Sequence, residues 1–175
     1  AVARPIDPRQ SQFAFWAPSL RAVGRGFRSV SGAQIEMGLL ASNGIKVLIL
    51  PFSQTISARA AERIAEFVER GGCVMADVRP GVADEHGRFG NSGSLDAVFG
   101  VRHTPDWAAY RPERMNIRIS GKLRDMELQV ELKGVIAGPS VELRGARVLA
   151  EGRHPMLTVH GYGKGLAILL NFYAE

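Results

Sequence analysis

Apolar and polar positions change their spacing along this chain, and the changes mark its elements. Lys46-Val47-Leu48-Ile49-Leu50 is a short continuous apolar run, as strands buried on both faces of a parallel sheet are. Pro51 ends it, and Ser57 offers an N-cap. Ala60, Ile64, Phe67 and Val68 then recur at helical spacing, while Arg59, Glu62, Arg63, Glu66 and Glu69 cover the opposite surface. Gly71-Gly72 stops that helix. Cys73-Val74-Met75-Ala76-Asp77-Val78 is a second apolar run, broken by Pro80-Gly81. Strand, helix and strand in this order predict a right-handed βαβ unit with parallel strands.

Upstream the pattern is weaker. Ser11 to Arg25 predicts a helix with Phe13, Trp16, Leu20 and Val23 on one side, and Pro18 in its first turn or at a kink. Phe27 to Val30 predicts a short strand, Ser31 to Leu40 a second helix, and Val2 to Ile6 an edge strand limited by Pro5. Downstream, Asp84 to Gly93 is polar and glycine-rich and predicts a long loop. Leu95, Val98 and Phe99 predict one helical turn, and 101–113, with Pro105 and Pro112, is irregular. Period two then takes over. Met115, Ile117 and Ile119 alternate with polar residues, as do Met126, Leu128, Val130 and Leu132, which predicts two half-buried strands. Ala146–Ala150, Met156–His160 and Leu166–Phe172 are further strand candidates. The last two are joined by Gly161-Tyr162-Gly163-Lys164-Gly165, a hairpin tip. No repeat or linker interrupts the series, so residues 1–175 read as one domain.

Composition adds limits. At 175 residues and 46% hydrophobic content the chain suits one globular domain with a real core. No apolar stretch approaches the ~20 residues of a membrane helix, and no secretory signal opens the chain. The first residue is Ala, which points to a processed chain or a domain of a larger protein. Net charge is +5, yet the basic residues, mostly arginine, never form a run of three, and only 7% of residues are aromatic. This excludes the stacking platform and basic stripe of a nucleic-acid binder; the arginines read as a solvated surface. A single cysteine, Cys73, rules out an intramolecular disulfide or a CxxC metal site and points to a reducing, cytoplasmic compartment.

Three segments resemble a known family. They are Lys46-Val-Leu-Ile-Leu-Pro-Phe-Ser-Gln54, the helix end Phe67-Val-Glu-Arg-Gly-Gly72 with Val74-Met-Ala-Asp-Val-Arg-Pro-Gly81, and Gly161-Tyr-Gly-Lys-Gly-Leu-Ala-Ile-Leu-Leu-Asn-Phe172. Together they are similar to class I glutamine-amidotransferase-like domains inside larger bacterial proteins, and most of all to the trimerisation domains of beta-galactosidases. The likeness covers 31–100 and 146–172 and leaves the middle uncovered. It implies an α/β, flavodoxin-like three-layer sandwich with a mostly parallel central sheet and added antiparallel strands in the C-terminal half. Active relatives carry a Cys at a tight Gly-x-Cys-x-Gly turn after the strand, with a His and a Glu later. Here the matching turn is Asp77-Val78-Arg79-Pro80-Gly81, without Cys, Ser or Thr. Cys73 stands at the other end of the strand, roughly 20 Å away. No His-x-Glu follows near the C-terminus; His154 precedes Pro155-Met156. The resemblance therefore implies a non-catalytic domain, with no catalytic residue, that mediates oligomer or inter-domain contacts in a larger, glycoside-processing protein.

The densest polar cluster, Asp77, Arg79, Asp84, Glu85 and His86, follows the carboxyl end of a parallel strand, where open α/β sheets bind ligands. Phe52, Ser53 and Gln54 lie at the same sheet edge. Two readings stay open: a pocket for a carbohydrate or small polar molecule anchored by Arg79 and Asp84, as in a sensory domain, or an ion-paired loop in which Arg79 holds Asp77 or Asp84 and His86 caps the turn. Three adjacent residues rarely converge on one ion, so neither metal nor cofactor is expected. Cys73 reads as a small buried residue, since the helix end before it disfavours a thiolate. The glycine-rich 161–165 tip lacks phosphate-loop spacing. Trp16 has core spacing; Trp107 and Tyr110 suit a surface contact or lid; His103 and His160 read as structural.

Overall fold

The computed structural model describes residues 16–42, 44–103 and 113–173. The expected strand at Val2–Ile6, Phe13 of the first helix, and Trp107 and Tyr110 lie outside these. Helix α1 is described over 16–22. Residues 25–31 form no ladder, so the strand expected over Phe27–Val30 does not form. The helix expected from Ser31 to Leu40 splits into α2 (Gly32–Glu36) and α3 (Leu39–Ser42). The break falls at Met37-Gly38, where Gly38 takes φ 86. Ser31 and Gln34 form a capping box on α2, each satisfying the other's backbone N–H.

The βαβ unit forms where the apolar runs place it. Strand β1 (Val47–Leu50) leads to helix α4 (Ala58–Glu69) and strand β2 (Cys73–Asp77). β1 and β2 pair in parallel, Val47 opposite Cys73 and Ile49 opposite Met75. Ser57 caps α4 by accepting from the Ala60 N–H at 3.1 Å, and its hydroxyl donates to Glu36, tying α2 to α4. Ala60, Ala61, Ile64, Phe67 and Val68 form the buried face of α4. Burying a side chain such as Ile64 or Val68 contributes about 2 kcal/mol.

Helix α5 (Asp96–Phe99) follows the loop, and the segment expected to be irregular begins with strand β3 (Val101–His103). Strands β4 (Arg114–Leu123) and β5 (Met126–Ala137) form the hairpin that the period-two alternation predicts. Then come β6 (Val141–Leu143), β7 (Arg147–Glu151), β8 (Pro155–Tyr162), β9 (Gly165–Leu170) and β10 (Phe172–Tyr173). β3 and β6 pair with each other and had no periodicity to announce them, at three residues each.

The central sheet runs β1-β2-β9-β8-β7, and a separate antiparallel sheet runs β10-β5-β4. This overturns the flavodoxin-like three-layer sandwich with a mostly parallel central sheet. Only the β1–β2 and β2–β9 pairings are parallel; β8 is reversed and pairs antiparallel with both β9 and β7. The Gly163-Lys164 turn is too short for a crossover and forces β8 and β9 into a hairpin. The second face of the sheet is covered by strands rather than by helices. Leu48, Leu50, Val74, Ala76 and Leu169 join α4 in one apolar cluster. On the other face Leu157, Val159 and Ile168 join Ile117 and Val135 of the β4–β5 hairpin. The layers are helix, mixed sheet and antiparallel sheet.

Candidate functional site

Two adjacent parallel strands end at the carboxyl edge of the sheet, and each is followed by a residue in the left-handed region. Phe52 follows β1 with φ 43 and Arg79 follows β2 with φ 63. For residues with a Cβ this costs roughly 1–2 kcal/mol each. Between them stands Asp77, 1% exposed. Its two oxygens are both engaged. The Phe52 N–H donates to Oδ1, and the Trp16 indole Nε1–H donates to Oδ2 at 3.0 Å. Burial pushes the Asp77 carboxyl above its ordinary range, and these donors partly oppose the rise.

Arg79 is 2% exposed. Burial pulls its guanidinium down to about 10, with Tyr173 and then Asp96 acting the other way. It remains protonated at neutral pH. Tyr173 in turn packs on Phe52, ring centroids 5.9 Å apart. Asp96, in the first turn of α5, accepts through Oδ2 from the Gly93 and His103 backbone N–H groups at 2.9 and 3.0 Å. Its Oδ1 meets His103 Nδ1 at 2.5 Å. A carboxylate only accepts, so Nδ1 carries the proton. The edge thus sets part-buried Trp16, Phe52 and Tyr173 around buried Asp77, Arg79, Asp96 and His103, with Trp16 bonded to Asp77, Phe52 packed on Tyr173 and Asp96 bonded to His103.

The other expected residues do not join that chain. Asp84 closes a surface turn, where Oδ1 accepts from the His86 and Arg88 N–H groups at 2.9 and 2.8 Å. Those bonds hold its carboxyl below the usual range, first through Arg88. Glu85 and His86 are exposed on this turn. It is Asp84, not His86, that caps it. Ser53 and Gln54 act through backbone carbonyls, accepting from Gly81 at 2.9 Å and Ala83 at 3.0 Å. These bonds staple the loop after β1 to the loop after β2. Cys73 lies at the far end of β2, and burial pushes its thiol up, with Arg124 opposing.

Trp16, Asp96, His103 and Tyr173 are the members of the edge that sequence patterns assign elsewhere or miss. Trp16 has core spacing, and nothing in its own segment names Asp77. The seven-residue interval between Asp96 and His103 matches no motif. Two cavities, of about 580 and about 300 Å3, open elsewhere, and none of the eight expected binding residues lines either. Among the described residues no three His, Cys, Asp or Glu side chains are placed to hold one metal ion, and no helix is long and apolar enough to cross a membrane.

Comparison with known proteins places this geometry. A family model described as the beta-galactosidase trimerisation domain matches residues 41–175. No curated protein matches the chain. Among solved structures it is similar to the beta-galactosidase from Bacillus circulans sp. alkalophilus, at 21% identity and TM-score 0.59, over 74% of this chain and 20% of that one. It is also similar to a catalytic mutant of Gan42B, a GH42 beta-galactosidase from G. stearothermophilus, at 24% identity and TM-score 0.58, over 74% and 19%. The exo-beta-1,4-mannosidase Op5Man5 from Opitutaceae bacterium strain TAV5 matches at 14% identity and TM-score 0.59, over 98% and 28%. These likenesses establish a shared fold. The chain spans about a fifth of the length of the two beta-galactosidases.

Proposed function

This chain belongs to the beta-galactosidase trimerisation domain family, and we propose that it is a non-catalytic module that holds together copies of a larger glycoside-processing enzyme. The observation that carries the reading is the extent of the family match. Residues 41–175 take in all three sheets, α4 and α5. The solved relatives are glycosidases several times longer than the matched region, so chemistry in such an enzyme would belong to its other domains. The partners this reading implies are further copies of the chain and neighbouring domains of the parent, with Cys73 in keeping with a reducing, cytoplasmic setting.

The amidotransferase resemblance contributes one point. Where that family's pattern puts its nucleophile, this chain has Arg79, in a left-handed conformation and fully buried. The bent backbone of an elbow is there, and the side chain on it forms no acyl adduct. Cys73 supplies no substitute, since its thiol is remote and held neutral by burial.

Light scattering over a wide concentration range tests the main reading. A mass three times that of the chain or a multiple of that, with no glycosidase activity from the chain alone, is the expected result. A strictly monomeric chain at every concentration overturns it.

A second reading, a carbohydrate or small polar ligand at the carboxyl edge near Phe52, Ser53, Gln54, Asp77, Arg79, Asp84, Glu85 and His86, draws on the backbone strain at Phe52 and Arg79. Thermal-shift measurements with galactose, mannose and small anions at millimolar concentration decide it, because a ligand bound by the native state alone raises its stability. No shift with any of them removes this reading.

A further inference from the structure

Among the described residues strand β5 is the longest, and most of one side of it has no strand beside it. β4 covers its other side, whereas β10 pairs only with Ile136 and Ala137. From Met126 to Val135 that edge is open among the described residues. Open edges of this length are normally blunted, because their backbone N–H and C=O groups template pairing with another chain. This one is neither short nor capped by proline, and its apolar residues are only part-covered. Met126 is 60% exposed and Val130 45%.

The residues along the edge are complementary to themselves. We propose that β5 pairs with β5 of a second copy across a two-fold axis, antiparallel and centred on Val130, so that the two β10-β5-β4 sheets become one. In this register Val130 faces Val130, Leu128 faces Leu132 and Glu127 faces Lys133. Gln129 faces Glu131. Each copy already sets Lys122 opposite Glu127 and Arg118 opposite Glu131 across β4 and β5. Lys122 and Glu127 then lie side by side, and the second copy's exposed Lys133, at the bulge where β5 leaves register with β4, comes opposite that Glu127. The alternatives are worse. A slip by one residue sets the apolar face against the polar one. A slip by two in the antiparallel pairing brings Glu127 opposite Glu131, or Glu131 opposite itself. Charge therefore selects the Val130-centred register.

This contact is independent of the trimer reading. A three-fold ring closes through heterologous contacts, whereas a two-fold contact joins the same patch of both copies. Both can exist in one assembly, and each can fail alone.

The test uses the whole chain in a Cys73→Ser background. Directly opposed residues of an antiparallel pair have Cα atoms about 4.5–5.5 Å apart, within disulfide range. Val130→Cys is expected to give a disulfide-linked dimer under mild oxidation, and Val47→Cys, equally exposed on the edge of β1, is not. Lys133→Glu sets like charges opposite each other twice and is expected to weaken the two-fold contact about tenfold or more by sedimentation equilibrium. Adding Glu127→Lys to Lys133→Glu is expected to restore it. The substitutions at Val47, Glu127, Val130 and Lys133 are at exposed positions of the fold. Equal cross-linking at 130 and 47, or an association unchanged by Lys133→Glu, overturns the proposal. Amide-exchange protection, in monomeric protein, of those N–H groups of 126–133 that point away from β4 also overturns it, by showing the edge filled from within the same chain. A trimer that persists without the Val130 cross-link leaves the trimer reading standing and removes this one.

Discussion

The Trp16 indole donates to Asp77 Oδ2 at 3.0 Å, joining residues 61 positions apart. The bond fastens α1 to the carboxyl end of β2, where Phe52 supplies the second donor to the same carboxylate. Asp77 is thus a clasp between three separate segments. A sugar would have to displace both donors to reach it.

Trp16→Phe keeps the ring and deletes the donor. A hydrogen bond to a charged group contributes about 1.5–3 kcal/mol, and the loss should appear in full as a lower urea midpoint with an unchanged slope. Equal stability of the two proteins would show that the bond does not hold α1 in place.

Stability near Asp77 should depend on pH with a sign opposite to the usual carboxylate. Burial raises its folded pKa above the ordinary 3.8, so the folded state holds this proton more tightly than the unfolded chain. Its contribution is fully present below 3.8 and is lost as pH rises through the folded value. Asp77→Asn cannot ionise and should remove that decline, although its amide can accept from only one of the two donors. Asp84 and His154, whose values are lowered, act in the opposite direction but are common to both proteins. The difference in urea stability between wild type and Asp77→Asn, followed from about pH 4 to about pH 7, should therefore move in favour of the variant as pH rises. A difference that is flat in pH would refute the assignment.

Gly165 opens β9 against the end of α4. A Cβ there would lie 2.1 Å from the Val68 carbonyl oxygen and 2.3 Å from that of Gly72. Both obstacles are backbone, so neither can swing aside. Gly165→Ala should cost about 3 kcal/mol or more, whereas at Gly161 nothing lies within 4 Å of an added Cβ, and Gly161→Ala should leave stability nearly unchanged. Thermal melts of the pair make the comparison, and equal melting temperatures would contradict it.

The Cys73 thiol is raised above its ordinary 9.0 by burial, with Arg124 only partly offsetting this. Thiolate is the reactive form, so Cys73 should react with Ellman's reagent at neutral pH several-fold more slowly than glutathione, and faster as pH rises. A rate matching or exceeding glutathione would mark an activated thiol and reopen the question of nucleophilic chemistry.

Much of the fold is legible from pattern. The continuous apolar runs at 47–50 and 73–77, the amphipathic stretch after Ser57 and the alternation at 115–119 and 126–132 each report a local burial pattern, and each becomes the matching element. The strand expected at Phe27–Val30 fails because nothing local reveals whether a neighbouring strand will pair with it. The parallel sheet also fails as a whole. Both faces of β9 are apolar whether its neighbours run with it or against it, so hydrophobicity alone does not give direction. The two-residue turn at Gly163-Lys164 was the deciding signal.

The site was legible only in part. Asp77 and Arg79 could be picked out because charged residues closing an apolar strand are conspicuous. That Asp84, Glu85 and His86 belong to a separate surface turn, and that Trp16, Asp96, His103 and Tyr173 belong to the edge, follows from long-range packing that leaves no periodic trace. The sequence by itself determined which segments bury which faces, and that no Cys, Ser or Thr stands at the turn after β2, because those depend on residue type and on spacing of a few positions. Only the tertiary structure decided which strands share a sheet, the clasp on Asp77 and the open edge of β5, because each is set by which distant segments meet, and chain entropy leaves that choice to the folded whole.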